Sequence, residues 1–166
     1  MASTDSLAAG PGAITRLRAR PHRPRDRQVV GAETARYLGA VSLLGVGAVH
    51  AQQYYEAYFY VVPTIGTLFL LNFIGAGVLG VVLLAPVRLL GRGVGDVIFA
   101  LAALGGIGIA AGSLVSLLVS EYTPFFGFME SGYRLAIVLS LLTDGLAIVF
   151  LGAFLVLLAL RWRRDP

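Results

Sequence analysis

The sequence predicts an all-α, polytopic membrane protein: a four-transmembrane-helix bundle with both termini in the cytoplasm. Hydrophobic residues make up 57% of the 166 residues, and charged residues only 13%. Soluble domains average about 45–50% apolar and about 25% charged residues. So few polar groups cannot cover a water-soluble globule of this size. A soluble enzyme, a nucleic-acid-binding domain and a disordered chain are therefore disfavoured.

The N-terminal segment, residues 1–31, is predicted to be a disordered, Arg-rich cytoplasmic tail. It contains many small residues, and Pro11, Pro21 and Pro24 interrupt any helix. The six arginines between Arg16 and Arg27 repel one another, and no apolar cluster accompanies them.

The first predicted span, residues 32–55, is the weakest of the four because it ends in polar residues. A helix needs about 20 mostly apolar residues to cross the hydrocarbon core. The Arg-rich start, the apolar stretch and the small residue Ala51 before Gln52 also resemble a signal peptide with a cleavage site. N-terminal sequencing of the purified protein distinguishes these two alternatives.

Three stronger spans follow, at residues 64–87, 97–119 and 135–160. The first two carry no charged residue, and the last carries only Asp144. These runs do not alternate between apolar and polar residues, as strands of membrane barrels do. Continuous apolar runs indicate helices, since a helix satisfies its own backbone hydrogen bonds in lipid. The transmembrane domain, residues 32–161, is followed by a short basic cytoplasmic tail at residues 162–166.

The arginines predict the orientation of the bundle. The chain has 13 basic residues, all arginine, and 12 of them fall on the side of the termini in a four-span layout. Only Arg134 falls on the other side. Basic residues accumulate on the cytoplasmic side of membrane proteins. We therefore expect a multi-pass protein of the bacterial inner (cell) membrane, with its N and C termini in the cytoplasm.

Three polar residues lie inside the predicted spans. Asp144 lies about 15 Å along the last helix from its outer end, and His50 and Asn72 fall in the outer half of the first and second spans. Similar depths on three different helices predict one intramembrane polar network. An intramembrane acid is a functional candidate by default, as a proton carrier or cation ligand. The alternative is that these groups only fix helix packing.

Three carboxylates, Glu56, Glu121 and Glu130, border the outer face and could form an oxygen-rich cation or ligand site. The alternative is that they are solvated loop residues, since their spacing matches no metal motif. The chain has no cysteine and only two histidines. No metal site is assigned, and no cofactor is predicted. The many aromatic residues of the outer loops are typical of an interfacial belt, although they could also line a pocket.

Gly108 and Gly112 form a GxxxG pattern in the third span. In an apolar helix this pattern favours close approach of another helix. The partner is either a helix of the same chain or one of a second subunit, and the sequence does not distinguish these.

The first span ending in His50, the segment from Pro63 to Asn72 and the segment from Phe125 to Glu130 resemble small four-helix membrane proteins of high-GC bacteria. The resemblance covers most of residues 37–160 and omits the basic tail. It implies the four-helix fold and no particular activity.

The functional expectation is a non-enzymatic role in the lipid bilayer, as an accessory or assembly subunit of a membrane-protein complex or as a homo-oligomer. An alternative is a small proton- or cation-coupled transporter that uses Asp144 and His50. A second alternative is a redox subunit that associates with quinone or haem. Nucleic acid is not expected as a partner.

Overall fold

A computed structural model describes residues 24–124, 126 and 135–164. Within them the chain forms four long helices and no strand. The helices are α1 (Pro24–Tyr55), α2 (Pro63–Leu84), α3 (Arg92–Tyr122) and α4 (Leu135–Trp162). Each of the four is long and apolar enough to cross a membrane. The prediction of an all-α chain with four membrane-length helices is therefore confirmed.

Six helix ends differ from the predicted spans, and proline accounts for two of the differences. Helix α1 begins at Pro24, so part of the segment predicted to be a disordered tail is helical. Proline suits a first helical turn because its missing N–H needs no partner there. Helix α2 ends at Leu84 rather than at residue 87, since Pro86 disfavours a helical residue before it. Helix α3 begins at Arg92 rather than at residue 97.

Two short 3₁₀ turns complete the connections. The first, Phe59–Val61, joins α1 to α2, and the second, Val87–Leu90, joins α2 to α3. Tyr58, before the first turn, has a left-handed backbone with φ 61°. We call the end of the bundle with the α1–α2 connection, the end of α3 and the start of α4 the loop end. The opposite end, with the start of α1, the α2–α3 connection and the end of α4, is the terminal end.

Successive helices run in opposite directions and surround one core. Helix α1 packs mainly on α2 and α4, and α3 packs on the same two neighbours. The terminal half of this core is dense, with Leu43, Leu151 and Phe154 fully buried. Gly106 permits this packing, because an added Cβ would lie 2.7 Å from a methyl group of Leu43.

The outer surface of the bundle is apolar on all four helices. Val41, Leu71, Leu101 and Val149, one from each helix, are all 59–64% exposed. Monomeric soluble proteins rarely expose continuous apolar patches of this kind. The surface is therefore consistent with a multi-pass membrane protein whose outward faces contact lipid.

The GxxxG pattern begins on this outward surface. Gly108 and Gly112 are exposed, and an added Cβ at either position would meet no neighbouring helix within 4 Å. Within the described chain the two glycines therefore do not mediate close packing. Gly106, two residues earlier, faces the core instead.

Candidate functional site

A cavity of about 280 Å³ lies in the loop half of the bundle. All four helices and the first 3₁₀ turn contribute to its wall. Its polar lining includes His50 and Gln53 from α1, Asn72 from α2, Ser113 from α3 and Ser140 from α4. The volume lies near the lower limit of the roughly 300–1,000 Å³ that is common for ligand pockets.

His50 occupies the centre of the polar lining and is 5% exposed. Its Nδ1 lies 2.9 Å from the carbonyl oxygen of Val46, one helical turn earlier. A carbonyl only accepts hydrogen bonds, so Nδ1 carries the hydrogen and the neutral ring presents Nε2 as an acceptor. The Asn72 amide nitrogen donates to Nε2 at 3.2 Å, and the Ser113 hydroxyl oxygen lies 3.3 Å from the same atom.

Asp144 lies directly behind the two serines and is fully buried. Its Oδ2 accepts hydrogen bonds from the hydroxyls of Ser113 and Ser140, each at 2.9 Å. Its Oδ1 has no hydrogen-bond partner among the described residues. No ion pair joins Asp144 to a basic side chain within this part of the chain.

The structure thus brings together the three intramembrane residues predicted from their depth. His50 contacts Asn72 directly, whereas Ser113 connects His50 to Asp144. Ser113 and Ser140 were not among the predicted members of the network. Two features of the sequence could have predicted them: Ser140 precedes Asp144 by one helical turn, and Ser113 lies at a similar depth in the third span.

Aromatic and aliphatic side chains form the rest of the cavity wall. The rings of Phe59 and Phe69 stack with centroids 5.0 Å apart, and Phe69 also contacts the His50 ring at 5.2 Å. Leu68, on α2, adds a further apolar group. By contrast, Tyr58 is 63% exposed at the loop end. The loop aromatics are therefore divided between an exposed set and a set that lines the cavity.

The three predicted outer carboxylates are only partly described by the structure. Glu56 is exposed and Glu121 is half-buried, while Glu130 lies outside the described residues. No group of three or more potential metal-ligating side chains occurs in the ranges that the structure describes.

A second polar cluster lies at the terminal end and was not predicted. Asp96 lies in the second turn of α3 and is only 2% exposed. It pairs with Arg88 at 3.0 Å and with Arg161 at 2.5 Å. Glu33 pairs with Arg36 at 2.7 Å and also contacts Arg88. We call these five residues the terminal ion-pair cluster.

Cation–π contacts extend this cluster into the core. The Arg36 guanidinium is 4.4 Å from the centre of the Phe99 ring, and it also donates to the carbonyl oxygen of Leu83. Burial alone would lower the pKa of Arg88. Its hydrogen bonds to Glu33 and Asp96 outweigh that effect and raise the pKa above the usual value. Arg88 therefore stays charged, and the cluster joins α1, α3, α4 and the α2–α3 connection.

Comparison of the chain with protein-family models, with curated proteins and with solved structures gives no match in any of the three. The cavity and its polar chain are therefore the features that indicate a function.

Proposed function

We propose that the protein is a small carrier of the bacterial inner membrane, with both termini in the cytoplasm. In this proposal the loop-end cavity binds a small, mostly apolar molecule that carries a polar group, and the role is not enzymatic. The main support for this proposal is the cavity, which combines an apolar wall with a chain of hydrogen-bonded polar groups. Binding sites for small molecules combine these two features.

The two halves of the core support a carrier more than a continuous channel. The loop half contains the cavity, whereas the terminal half is filled by Leu43, Leu151 and Phe154. The terminal ion-pair cluster lies behind these side chains. A bundle that is open in one half and packed in the other is what one state of an alternating-access carrier requires.

Filling the cavity with a large side chain tests the proposal. Ile137 lies in the wall and is 4% exposed, whereas the adjacent Val138 is 47% exposed on the outward surface. We expect Ile137→Trp to abolish binding of benzyl alcohol to the protein in lipid nanodiscs, measured by saturation-transfer NMR. Val138→Trp, in the same lipid, is the matched control and should bind as wild type. Retained binding in Ile137→Trp would contradict the proposal.

The open glycine pattern favours a second role, as a homo-oligomer or as an accessory or assembly subunit of a membrane complex. Gly108 lies on the outward surface of α3, Gly112 is exposed at the border of the cavity, and an added Cβ at either position meets no neighbouring helix. This role is compatible with the first, because four helices are few for a carrier. We expect Gly108→Leu to reduce chemical cross-linking between copies, or copurification of a partner, in native membranes. Gly77→Leu, at another open glycine, is the control.

The quinone- or haem-associated role stays a prediction. A visible absorption spectrum of the protein purified from its native membrane tests the haem branch, which requires a Soret band.

A further inference from the structure

The buried polar chain leads to a more specific assignment of the ligand, which depends on the carrier role proposed above. We infer that the loop-end cavity takes a small lipophilic monocation, and that one proton held by His50, Ser113 and Asp144 is released when the cation binds. The cavity would thereby exchange a proton for a cation of the same charge.

The first step is the charge of Asp144. A carboxylate inside a bilayer requires a partner, because its ionised form is costly there. Glu33 and Asp96 at the terminal end have arginine partners, whereas Asp144 has only the hydroxyls of two serines. One of its oxygens lacks any partner among the described residues. The site therefore requires one positive charge, supplied either by a proton or by a bound cation.

The second step is the route for that proton. Ser113 has one hydroxyl hydrogen and two acceptors in reach, Asp144 Oδ2 at 2.9 Å and His50 Nε2 at 3.3 Å. When Asp144 Oδ2 is protonated, the Ser113 hydroxyl turns from Oδ2 to His50 Nε2, and Ser113 Oγ accepts a hydrogen bond from the carboxylic acid. The acid proton can then pass to Ser113 Oγ while the Ser113 hydrogen moves to His50 Nε2. One O–H bond breaks and another forms at the serine, so its hydroxyl is restored. His50 becomes an imidazolium that keeps its Nδ1 hydrogen bond.

The Asn72 amide completes this route. Its nitrogen donates to His50 Nε2 when that atom is unprotonated. Turning the amide by half a rotation presents its oxygen, which accepts a hydrogen bond from the protonated ring. The proton then leaves from Nε2, on the cavity side, to water. Besides Asp144, the polar chain contains His50, Asn72, Ser113 and Ser140, one from each described helix, and only His50 among these four titrates.

The third step is the character of the cation. The stacked rings of Phe59 and Phe69 line the same cavity, and aromatic faces attract cations in desolvated sites. The remaining wall is largely aliphatic, so it favours an organic cation over a strongly hydrated inorganic one. The volume of about 280 Å³ limits the ligand to a small molecule. A quaternary ammonium ion with one aromatic ring satisfies these conditions.

The test compares a charged and a neutral probe on the full-length protein in nanodiscs. Benzyltrimethylammonium carries a fixed positive charge, and benzyl alcohol is neutral. Calorimetry in buffers of different ionisation enthalpy counts the protons released. We expect about one proton per benzyltrimethylammonium bound and none for benzyl alcohol. Binding of the cation without proton release would overturn the inference.

Variants separate this inference from the carrier proposal. Asp144→Asn should weaken binding of the cation by at least about tenfold. Benzyl alcohol should still bind to this variant, and that binding would show that the cavity remains folded. Val138→Trp, on the outward surface, should leave both unchanged. If wild type binds benzyl alcohol but not the cation, this inference fails and the binding site stands. If neither probe binds, the proposed function fails as well. Should Asp144→Asn not fold, the wild-type proton count alone decides.

Discussion

Gly66 provides a direct test of how the first 3₁₀ turn is held against α2 beside the cavity. A Cβ added at Gly66 would lie 2.6 Å from the carbonyl oxygen of Phe59 and 3.0 Å from the Cα of Tyr60. Both are backbone atoms, so a side-chain rotation cannot relieve the contact. Ordinary Cβ contacts begin near 3.4 Å, so in Gly66→Ala the Phe59 carbonyl must retreat by about 0.8 Å.

The expected magnitude follows from two opposing effects. Forcing an extra carbon into a packed site costs about 1–3 kcal/mol. Alanine is also favoured over glycine inside a helix by about 1 kcal/mol. Gly77 lies in the same helix, and an added Cβ there meets no neighbour within 4 Å. The difference between Gly66→Ala and Gly77→Ala therefore isolates the cost of the clash, about 1–3 kcal/mol in the free energy of unfolding.

Reversible unfolding in mixed micelles, titrated with SDS and followed by circular dichroism, measures both variants. Because the displaced carbonyl belongs to Phe59, which lines the cavity, Gly66→Ala should also weaken binding of benzyl alcohol. Equal unfolding free energies for the two variants would refute the assigned packing of the turn on α2.

Three further predictions concern the terminal end, the core and the orientation. Asp96→Asn should lower the free energy of unfolding by about 3 kcal/mol. This is the lower end of the range for breaking a buried ion pair, because the two arginine partners of Asp96 are partly exposed. An unfolding curve identical to that of the wild type would contradict this prediction. Leu151→Ala should cost about 2–5 kcal/mol in the same assay, and clearly more than Leu101→Ala on the exposed face; equal losses would argue against the buried core. The chain has no cysteine, so a single introduced cysteine reports the side of the membrane on which it lies. Tyr58→Cys should react with an impermeant maleimide in intact spheroplasts, and Arg163→Cys only after permeabilisation. The reverse pattern would contradict the proposed orientation.

The helices could be predicted because membrane spans depend on local composition. An apolar run of sufficient length forms a helix in lipid whatever its partners are. The helix ends were less predictable, since residues near the interface tolerate charge. Helix α1 continues into the Arg-rich segment, and helix α3 begins at Arg92. The number of arginines at this end predicts orientation but not that Asp96 is buried between Arg88 and Arg161.

Depth along a helix was predictable, whereas the direction that a residue faces was not. Counting residues along the spans placed His50, Asn72 and Asp144 at similar depths, and the structure brings them together. The same counting did not show that Gly108 faces outward while Gly106 faces the core. In helices that are apolar on every side, the periodicity that identifies a buried face in soluble proteins is weak. Partners that face one another across helices, such as Ser113 and Asp144, therefore required the structure.

The division of the core explains why a proton and a cation would share the site. Small side chains such as Ser113 and Ser140 leave space in the loop half, whereas Leu151 and Phe154 fill the terminal half. Asp144 and this apolar segment belong to the same helix, so exchange across the bundle must open a path through the segment to Asp144, where an unpaired carboxylate is costly. An exchange of one proton for one monocation keeps the net charge of the site constant. Asp144 is then never ionised without a counter-charge. A proton neutralises it in one form, and the bound cation balances its charge in the other.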